Sequence, residues 1–266
     1  MRLNHYQNQP FPFELPGDDA ITFIVLSGIL KDTHNNIYTD GRNIMVCHST
    51  SPFPVWAWCR DEEDDEAVAA IADCLKEHFP LEAGYRYNIS YGLLDRLRQA
   101  DDYFAGAKIG VNMLSYRLDA LLPATHPCDG RMEAATMELL DELARYFQAA
   151  TLEMEHMERP LEWCRKNIAE KIEGGLQFLW RNDAGEIVAI TSYREMPPYG
   201  KIAGVYTLPE HRRRGYAMNL VHRVTARELE KGLTPILYTD ADYGASNACY
   251  QKLGYAQIGS LCTVKK

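Results

Sequence analysis

The stretch VYTLPEHRRRGYAMNL, residues 205–220, joins a predicted strand to a predicted helix through a short loop. Three consecutive arginines, residues 212–214, stand where this helix starts, although the positive end of the helix dipole disfavours cations. The N–H groups of a helix start have no intrahelical partners and can bind a phosphate oxygen. Gly215 allows the backbone to approach a pyrophosphate closely, and Ala217 is small for the same reason. A bound polyanion would therefore explain the arginines.

The residues of this loop allow two interpretations. In one, the arginines offset the charge of a bound polyanion and pair with its phosphate oxygens. In the other, they form a solvated patch and Gly215 is a turn residue. A short loop with a single glycine does not by itself decide between them. If the loop binds a pyrophosphate, Gly215→Asp should abolish that binding and leave the fold intact.

A second motif favours the first interpretation. The pattern Arg212-x-x-Gly215-x-Ala217, after a strand that ends in VYT, resembles the acyl-CoA pyrophosphate loop of the GNAT N-acetyltransferases, Q/R-x-x-G-x-G/A. The segment ASNACYQKLGY, residues 245–255, resembles the other signature of that family, a short helix with a tyrosine followed by Leu-Gly-Phe/Tyr. The two motifs occur in the order of the family, and the resemblance covers residues 131–266.

The resemblance implies an α/β fold with a mixed sheet, and acetyl-CoA as the cosubstrate. In the family, the strand before the loop and the next strand splay apart, and the pantetheine arm lies between them. By this resemblance the cofactor-binding residues are Val205, Tyr206 and Thr207 for the pantetheine arm, Arg212, Arg213, Arg214, Gly215, Tyr216, Ala217 and Met218 for the pyrophosphate, and Asn247.

The chemistry that the resemblance implies is direct acetyl transfer to a primary amine. The amine attacks the thioester carbonyl, a strand N–H near Val205 or Tyr206 stabilises the oxyanion, and the departing thiolate needs a proton. Tyr250 matches the family tyrosine that donates this proton, and a tyrosine with the ordinary pKa of about 10 stays protonated at neutral pH. Alternatively, Tyr250 packs on its helix with an exposed hydroxyl. The alternative function is a non-catalytic acyl-CoA sensor or interaction protein.

The sequence departs from the family pattern at several positions. Many GNAT enzymes carry Asn seven residues before the tyrosine, where this chain has Tyr243; Asn247 is nearby but in another register. No general base is evident: Glu195 could act through water, or it is an exposed strand carboxylate. Three glutamates in the run LEMEHMERP either favour a cationic amine or form a solvated acidic face. They are Glu153, Glu155 and Glu158.

Apolar spacing and turn residues predict several elements. They are a helix face at Val68, Ile71 and Leu75, an amphipathic helix at residues 131–154, and a hairpin with its turn at residues 182–185.

The first half of the sequence shares a predicted element order with the second. Each half has several antiparallel strands, then a long helix, a strand, a short helix and a final strand, and residues 20–30 are predicted as one of the strands of the first half. A break rich in Pro, Gly and small polar residues, residues 123–130, predicts domains at 1–125 and 126–266. Where a phosphate loop should lie, the run RDEEDDE at residues 60–66 has six consecutive acids and no glycine, so it repels a polyanion. The sequence therefore predicts a degenerate GNAT-like N-terminal domain that has lost CoA binding. A solvated acidic turn explains the same run.

The overall composition limits the class of protein. The chain has 266 residues, 46% of them hydrophobic, and a net charge of −9, which argues against a general nucleic-acid binder. Its longest apolar run, residues 21–30, is too short to span a membrane, and the N-terminus lacks the pattern of a secretory signal. Seven cysteines without a C-x-x-C pair argue against a disulfide framework, and no His/Cys cluster has metal-ligand spacing. We expect a cytoplasmic enzyme without a metal. Its expected partners are a small-molecule or peptide amine acceptor and, in a homodimer, a second copy.

Overall fold

A computed structural model of the chain describes residues 2–155 and 158–266, and the side chain of Glu155 lies outside that description. The chain divides into two compact units. The first consists of the chain up to Ser115 together with Thr239–Tyr243 and Ile258–Lys266, and the second consists of Tyr116–Tyr238 and Gly244–Gln257. The break predicted at residues 123–130 lies within the second unit.

The N-terminal half of the sequence contains four antiparallel strands and a fifth that runs parallel to the fourth. Its elements are, in chain order, β1 (Asn4–Gln7), α1 (Asp19–Thr22), α2 (Ile24–Lys31), β2 (Asn36–Thr39), β3 (Ile44–His48), β4 (Val55–Cys59), α3 (Asp65–His78), β5 (Tyr87–Ile89), α4 (Tyr91–Ala100) and β6 (Lys108–Leu118).

The C-terminal half has the same arrangement of antiparallel strands followed by a parallel one. Its elements are β7 (Arg131–Ala134), α5 (Leu140–Glu155), α6 (Leu161–Glu173), β8 (Gln177–Arg181), β9 (Ile187–Met196), β10 (Tyr199–Thr207), α7 (Tyr216–Glu230), β11 (Thr234–Asp240), α8 (Gly244–Lys252) and β12 (Tyr255–Lys265).

Both halves therefore follow one order: a strand, two helices, three strands, then a helix, a strand, a helix and a final strand. In each half a long helix connects the two parallel strands, as a parallel pair requires a crossover connection. The mixed α/β fold predicted from the sequence is confirmed. No helix of the described residues combines the length and the apolar character needed to cross a membrane.

The strand predicted at residues 20–30 is wrong, because this segment forms α1 and α2. A short apolar run fits a buried strand and a buried helix equally well, so its hydrophobicity alone did not distinguish them. The buried residues Leu26, Ile29 and Leu30 do show the three- and four-residue spacing of a helix face. The helix predicted from residue 131 begins only at Leu140, because Arg131–Ala134 pair with β8 as β7.

In the first unit, α3 buries the face predicted from its apolar spacing, which includes Val68, Ile71 and Leu75. The sheet of this unit also contains the end of the chain, since Cys262 of β12 pairs with Ile89 of β5. The last strand of the sequence therefore completes the sheet of the first unit.

In the second unit, helices cover both faces of the strands. Leu143 of α5 and Ile168 of α6 pack on a cluster that includes Ile190 of β9 and Tyr206 of β10. The apolar face of α7 is buried through Leu220, Val221 and Val224. The hairpin predicted around Asn182 and Gly185 is confirmed, with β8 and β9 antiparallel on either side of the turn. This packing fixes β10 and the start of α7 relative to each other.

Candidate functional site

Strand β10 is paired on both sides at its start and on one side at its end. It pairs in parallel with β11 from Tyr199 opposite Thr234 to Ile202 opposite Leu237, but it continues to Thr207. On its other side the register with β9 shifts between Ala203 and Tyr206, which marks a bulge. A bulge takes a backbone residue out of the ladder and bends its strand. The end of β10 therefore offers backbone groups that β11 does not take up in the described pairing.

The loop after β10 contains two residues in the left-handed backbone region. Arg213 has φ +61° and Gly215 has φ +87°. The left-handed conformation costs a residue with a side chain roughly 1–2 kcal/mol, and such strain concentrates at functional sites. The conformation of Arg213 therefore supports the interpretation of this loop as a candidate functional site.

The start of α7 is suited to binding an anion. Gly215 is its N-cap residue, and no side chain of the described residues caps the helix. The first-turn N–H groups of any helix lack intrahelical acceptors, so those of α7 can bind an anion. In the first unit, the corresponding start of α3 is already capped, because the Asp64 carboxylate accepts hydrogen bonds from the N–H groups of Glu66 and Ala67 at 3.0 and 3.1 Å. A carboxylate at that position both occupies the amides and repels a phosphate.

The three arginines precede the helix, which begins at Tyr216, and they do not share one role. Arg212 donates from Nε to the carbonyl oxygen of Thr207 at 3.0 Å and from its guanidinium to Glu153 of α5 at 2.6 Å. Arg212 therefore ties the loop to the end of β10 and to α5. Arg213 and Arg214 are exposed beside the uncapped helix start.

Gly215 lies against residues 123–130. A β-carbon at position 215 would stand 2.6 Å from the carbonyl oxygen of His126, which also accepts a hydrogen bond from Asn219 Nδ2 at 2.6 Å. The hydroxyl of Tyr216 donates to Asp129 at 2.6 Å. A side chain at position 215 meets backbone and strains φ, so Gly215→Asp would also disturb the loop and would not report on binding alone.

The predicted pantetheine residues lie at the end of β10. The side chain of Tyr206 is buried against α5 and α6, and Val205 is half-buried. The hydroxyl of Thr207 is buried, and it has no hydrogen-bond partner among the described residues. Buried polar groups are nearly always satisfied, so this hydroxyl fits a bound ligand with a polar group at the end of the strand.

Tyr250 is buried on α8, at 7% exposure. Its ring packs against Tyr116 and Tyr255, with centroids 6.3 and 6.2 Å away. Burial raises the pKa of Tyr250 above its ordinary value, so the hydroxyl stays protonated at neutral pH. Asn247 is buried one turn earlier on the same helix. Within the described residues, no hydrogen bond, ion pair or ring contact of the second unit links Tyr250 to Tyr206.

The carboxylates that the sequence suggested as a general base or as part of the acceptor pocket are paired with cations or exposed, where their side chains are described. Glu195 forms an ion pair with Lys231 and accepts a hydrogen bond from Tyr193, and these neighbours lower the pKa of Glu195. A lowered pKa makes Glu195 a weaker base. Glu153 pairs with Arg212, Glu158 is exposed, and the side chain of Glu155 lies outside the described residues.

Two ionisable residues, one on β10 and one packed against it, were not recognised from the sequence. Lys201 is half-buried, and packing around its amino group, with the nearby charge of Arg194, lowers the pKa of Lys201 to about 8. Glu228 of α7 is fully buried, and burial raises its pKa to about 8. Glu228 follows Val224 by four residues, so its place on the apolar face of the helix was visible in the spacing.

Comparisons with known proteins agree with this geometry. Residues 179–264, which contain β10, α7 and α8, match the family model described as FR47-like protein. No curated protein matches the chain at a significant level. Among the described residues, no group of His, Cys, Asp or Glu could hold a metal ion.

Solved structures resemble nearly the whole chain. An acetyltransferase of the GNAT family from Colwellia psychrerythraea is 16% identical with a TM-score of 0.59, covering 94% of this chain and 90% of its own. A GCN5-related N-acetyltransferase from Sphaerobacter thermophilus is 14% identical with a TM-score of 0.69, covering 92% and 84%. A GCN5-related N-acetyltransferase from Kribbella flavida is 16% identical with a TM-score of 0.52, covering 87% and 86%. At these sequence identities the comparisons show a similarity of fold.

Proposed function

We propose that this protein, which has the fold of the GNAT acetyltransferases and an FR47-like domain at residues 179–264, transfers an acetyl group from acetyl-CoA to a primary amine. The observation that carries the proposal is the continuous path from the bulged end of β10 to the uncapped start of α7. The end of β10 extends past its pairing with β11, and no side chain of the described residues caps the first-turn N–H groups of α7. Such a path suits a ligand with an extended polar arm and a diphosphate.

The residues of this path would hold the donor in two parts. The backbone from Val205 to Thr207 would bind the pantetheine arm, and the buried Thr207 hydroxyl can satisfy one of its amide groups. The N–H groups of residues 213–218 would bind the diphosphate, and the exposed Arg213 and Arg214 would offset its charge. Arg212 would act indirectly, because its bonds to Thr207 and Glu153 hold the loop in place.

The chemistry needs a donor for the oxyanion and an acid for the leaving thiolate. A backbone N–H in the bulge near Val205 would stabilise the oxyanion formed when the amine attacks the thioester carbonyl. Tyr250, held in the protonated form by burial, would give its proton to the thiolate. No carboxylate is assigned as the base, because the ion pair of Glu195 with Lys231 lowers its basicity.

We also propose that the N-terminal half is a degenerate relative of the C-terminal half that does not bind CoA. Its support is the shared order of elements and the Asp64 cap on the start of α3. In this half the place of the phosphate is taken by a carboxylate of the chain itself. A single equivalent of acetyl-CoA bound per chain is the expected stoichiometry in calorimetry.

The test measures acetyl-CoA binding by calorimetry and thiol release with a panel of primary amines. Tyr250→Phe should bind acetyl-CoA as the wild type does and lose about 100-fold in kcat, the range of one general acid. Tyr243→Phe, at an exposed tyrosine, is the matched control and should keep full kcat. Tight binding without turnover of any amine, and no effect of Tyr250→Phe, would instead indicate an acyl-CoA sensor.

A second donor tests the diphosphate contact separately. S-acetylpantetheine lacks the diphosphate, so replacing both Arg213 and Arg214 with Gln should raise KM for acetyl-CoA and leave KM for S-acetylpantetheine unchanged. Equal effects on both donors would contradict the assignment of the loop to the diphosphate.

A further inference from the structure

One face of β9 and β10 changes from covered to open along the strands. Directly opposite residues of an antiparallel pair share a face, and so do alternate residues of one strand. Ile190 and Tyr206 are paired and pack beneath α5 and α6. Further along the same face Ala203 pairs with Ser192, and Ala203 is exposed although its strand lies between β9 and β11. Ser192 is still buried, so this face of the second unit opens at Ala203 on β10 and at Arg194 on β9.

Two cations stand next to this open stretch. Arg194 and Lys201 are the next pair on the same face, opposite each other in register. Arg194 is exposed and Lys201 is half-buried. Like charges directly opposite on neighbouring strands destabilise a sheet. No ion pair of either residue with a carboxylate occurs among the described residues, so the chain itself does not neutralise this pair of charges.

The amino group of Lys201 lies where β10 and β11 stop pairing. Its Nζ is 4.3 Å from the centroid of the Tyr238 ring. Tyr238 follows Leu237, which forms the last described pair with Ile202. The cation therefore reaches the point at which β10 turns from its neighbour, immediately before the backbone assigned to the acyl donor.

We propose that Arg194 and Lys201 bind an anionic group of the acceptor, a carboxylate or a phosphate, so that the acceptor is a small amine that carries such a group. This inference rests on the proposed acetyl transfer and names the class of its second substrate. An oxyanion between the two side chains would remove their repulsion and give each a charge-assisted hydrogen bond. It would also supply the negative charge that partly buried Lys201 lacks.

The first test measures product binding and needs no turnover. N-acetylglycine and N-acetylglycinamide, which differ only in the carboxylate, are titrated calorimetrically into the protein saturated with CoA. N-acetylglycine should bind at least 10-fold more tightly than the amide, and Lys201→Met or Arg194→Met should remove most of this difference. Arg223→Met, at an exposed arginine of α7, is the control and should keep the difference.

A third compound, which carries a phosphate, distinguishes a carboxylate-binding site from a phosphate-binding site. N-acetyl-2-aminoethyl phosphate is titrated under the same conditions, and whichever of the two acids binds more tightly identifies the anion. Equal affinity of N-acetylglycine, the phosphate and the neutral amide would overturn the inference, and so would an unchanged preference in Lys201→Met. Absence of binding by all three compounds would overturn it too.

Turnover separates this inference from the proposed function. Glycine and 2-aminoethyl phosphate should be acetylated with lower KM than glycinamide, and Lys201→Met should raise KM for the two acids more than it raises KM for glycinamide. If neutral and anionic amines are acetylated equally well, the acceptor assignment fails while acetyl transfer stands. If acetyl-CoA does not bind, or no amine releases thiol, the proposed function itself fails.

Discussion

Glu228 should make the stability of the fold depend on pH. Its carboxyl is fully buried on α7, and neither oxygen has a hydrogen-bond partner among the described residues. It also packs on β10, because a β-carbon at Gly200 would lie 2.8 Å from Glu228 Cδ. Burial raises the pKa of Glu228 from 4.5 to about 8, and Glu195 adds to the increase while Lys231 opposes it. The folded protein therefore keeps this carboxyl protonated at pH values where the unfolded chain has lost the proton.

The sign and the magnitude follow from proton linkage. Between pH 4.5 and about 8 the folded state binds more protons than the unfolded state, so the free energy of unfolding falls as the pH rises. The stabilising contribution is fully present below pH 4.5 and is lost as the pH passes through about 8. At about 1.4 kcal/mol for each pKa unit, the loss between pH 5 and pH 8 is on the order of 3–4 kcal/mol.

The assay is urea unfolding of the wild type and of Glu228→Gln at pH 5, 6, 7 and 8. Glutamine has a similar shape and does not ionise, so the variant should gain on the order of 3 kcal/mol relative to the wild type between pH 5 and pH 8. Glu230→Gln, at an exposed position of the same helix, should give a constant difference from the wild type. If the curves for Glu228→Gln and the wild type stay parallel across this range, Glu228 is not held protonated and the reasoning is refuted.

Three further predictions concern the loop and the cation pair. Gly215→Ala should lower the free energy of unfolding more than Gly232→Ala does. Both sites have positive φ, which costs alanine roughly 1–2 kcal/mol, but only at position 215 does the new β-carbon also meet the carbonyl of His126, which adds at least about 1 kcal/mol. Equal losses in urea unfolding would contradict this contact. Arg212→Met removes the hydrogen bonds that hold the loop to β10 and α5, so it should raise KM for acetyl-CoA several-fold and lower the free energy of unfolding by less than about 1.5 kcal/mol. An unchanged KM in steady-state assays would show that cofactor binding does not depend on these hydrogen bonds. The affinity for N-acetylglycine should decrease as the pH rises through about 8, where Lys201 loses its proton beside Arg194 and Tyr238, and Lys201→Met should abolish this pH dependence in calorimetry.

The sequence by itself determined the features that depend on neighbouring residues. The loop from Thr207 to the start of α7 was predicted because a glycine before a helix and the spacing of the R-x-x-G-x-A pattern are local properties. The turn at residues 182–185 was predicted for the same reason, since turn residues set the backbone where they stand. The buried face of α3 followed from helical spacing, and the acidic run before it predicted a helix start that does not suit a phosphate.

The tertiary structure decided everything that depends on which distant segments meet. It placed His126 on Gly215, gave Arg212 its partner on α5, and aligned Arg194 with Lys201. It also made helices of residues 20–30, where an apolar run allowed a strand, and paired the last strand with β5. Burial, strand pairing and ion pairs between remote residues depend on the free-energy minimum of the whole folded chain, so no local sequence pattern could specify them.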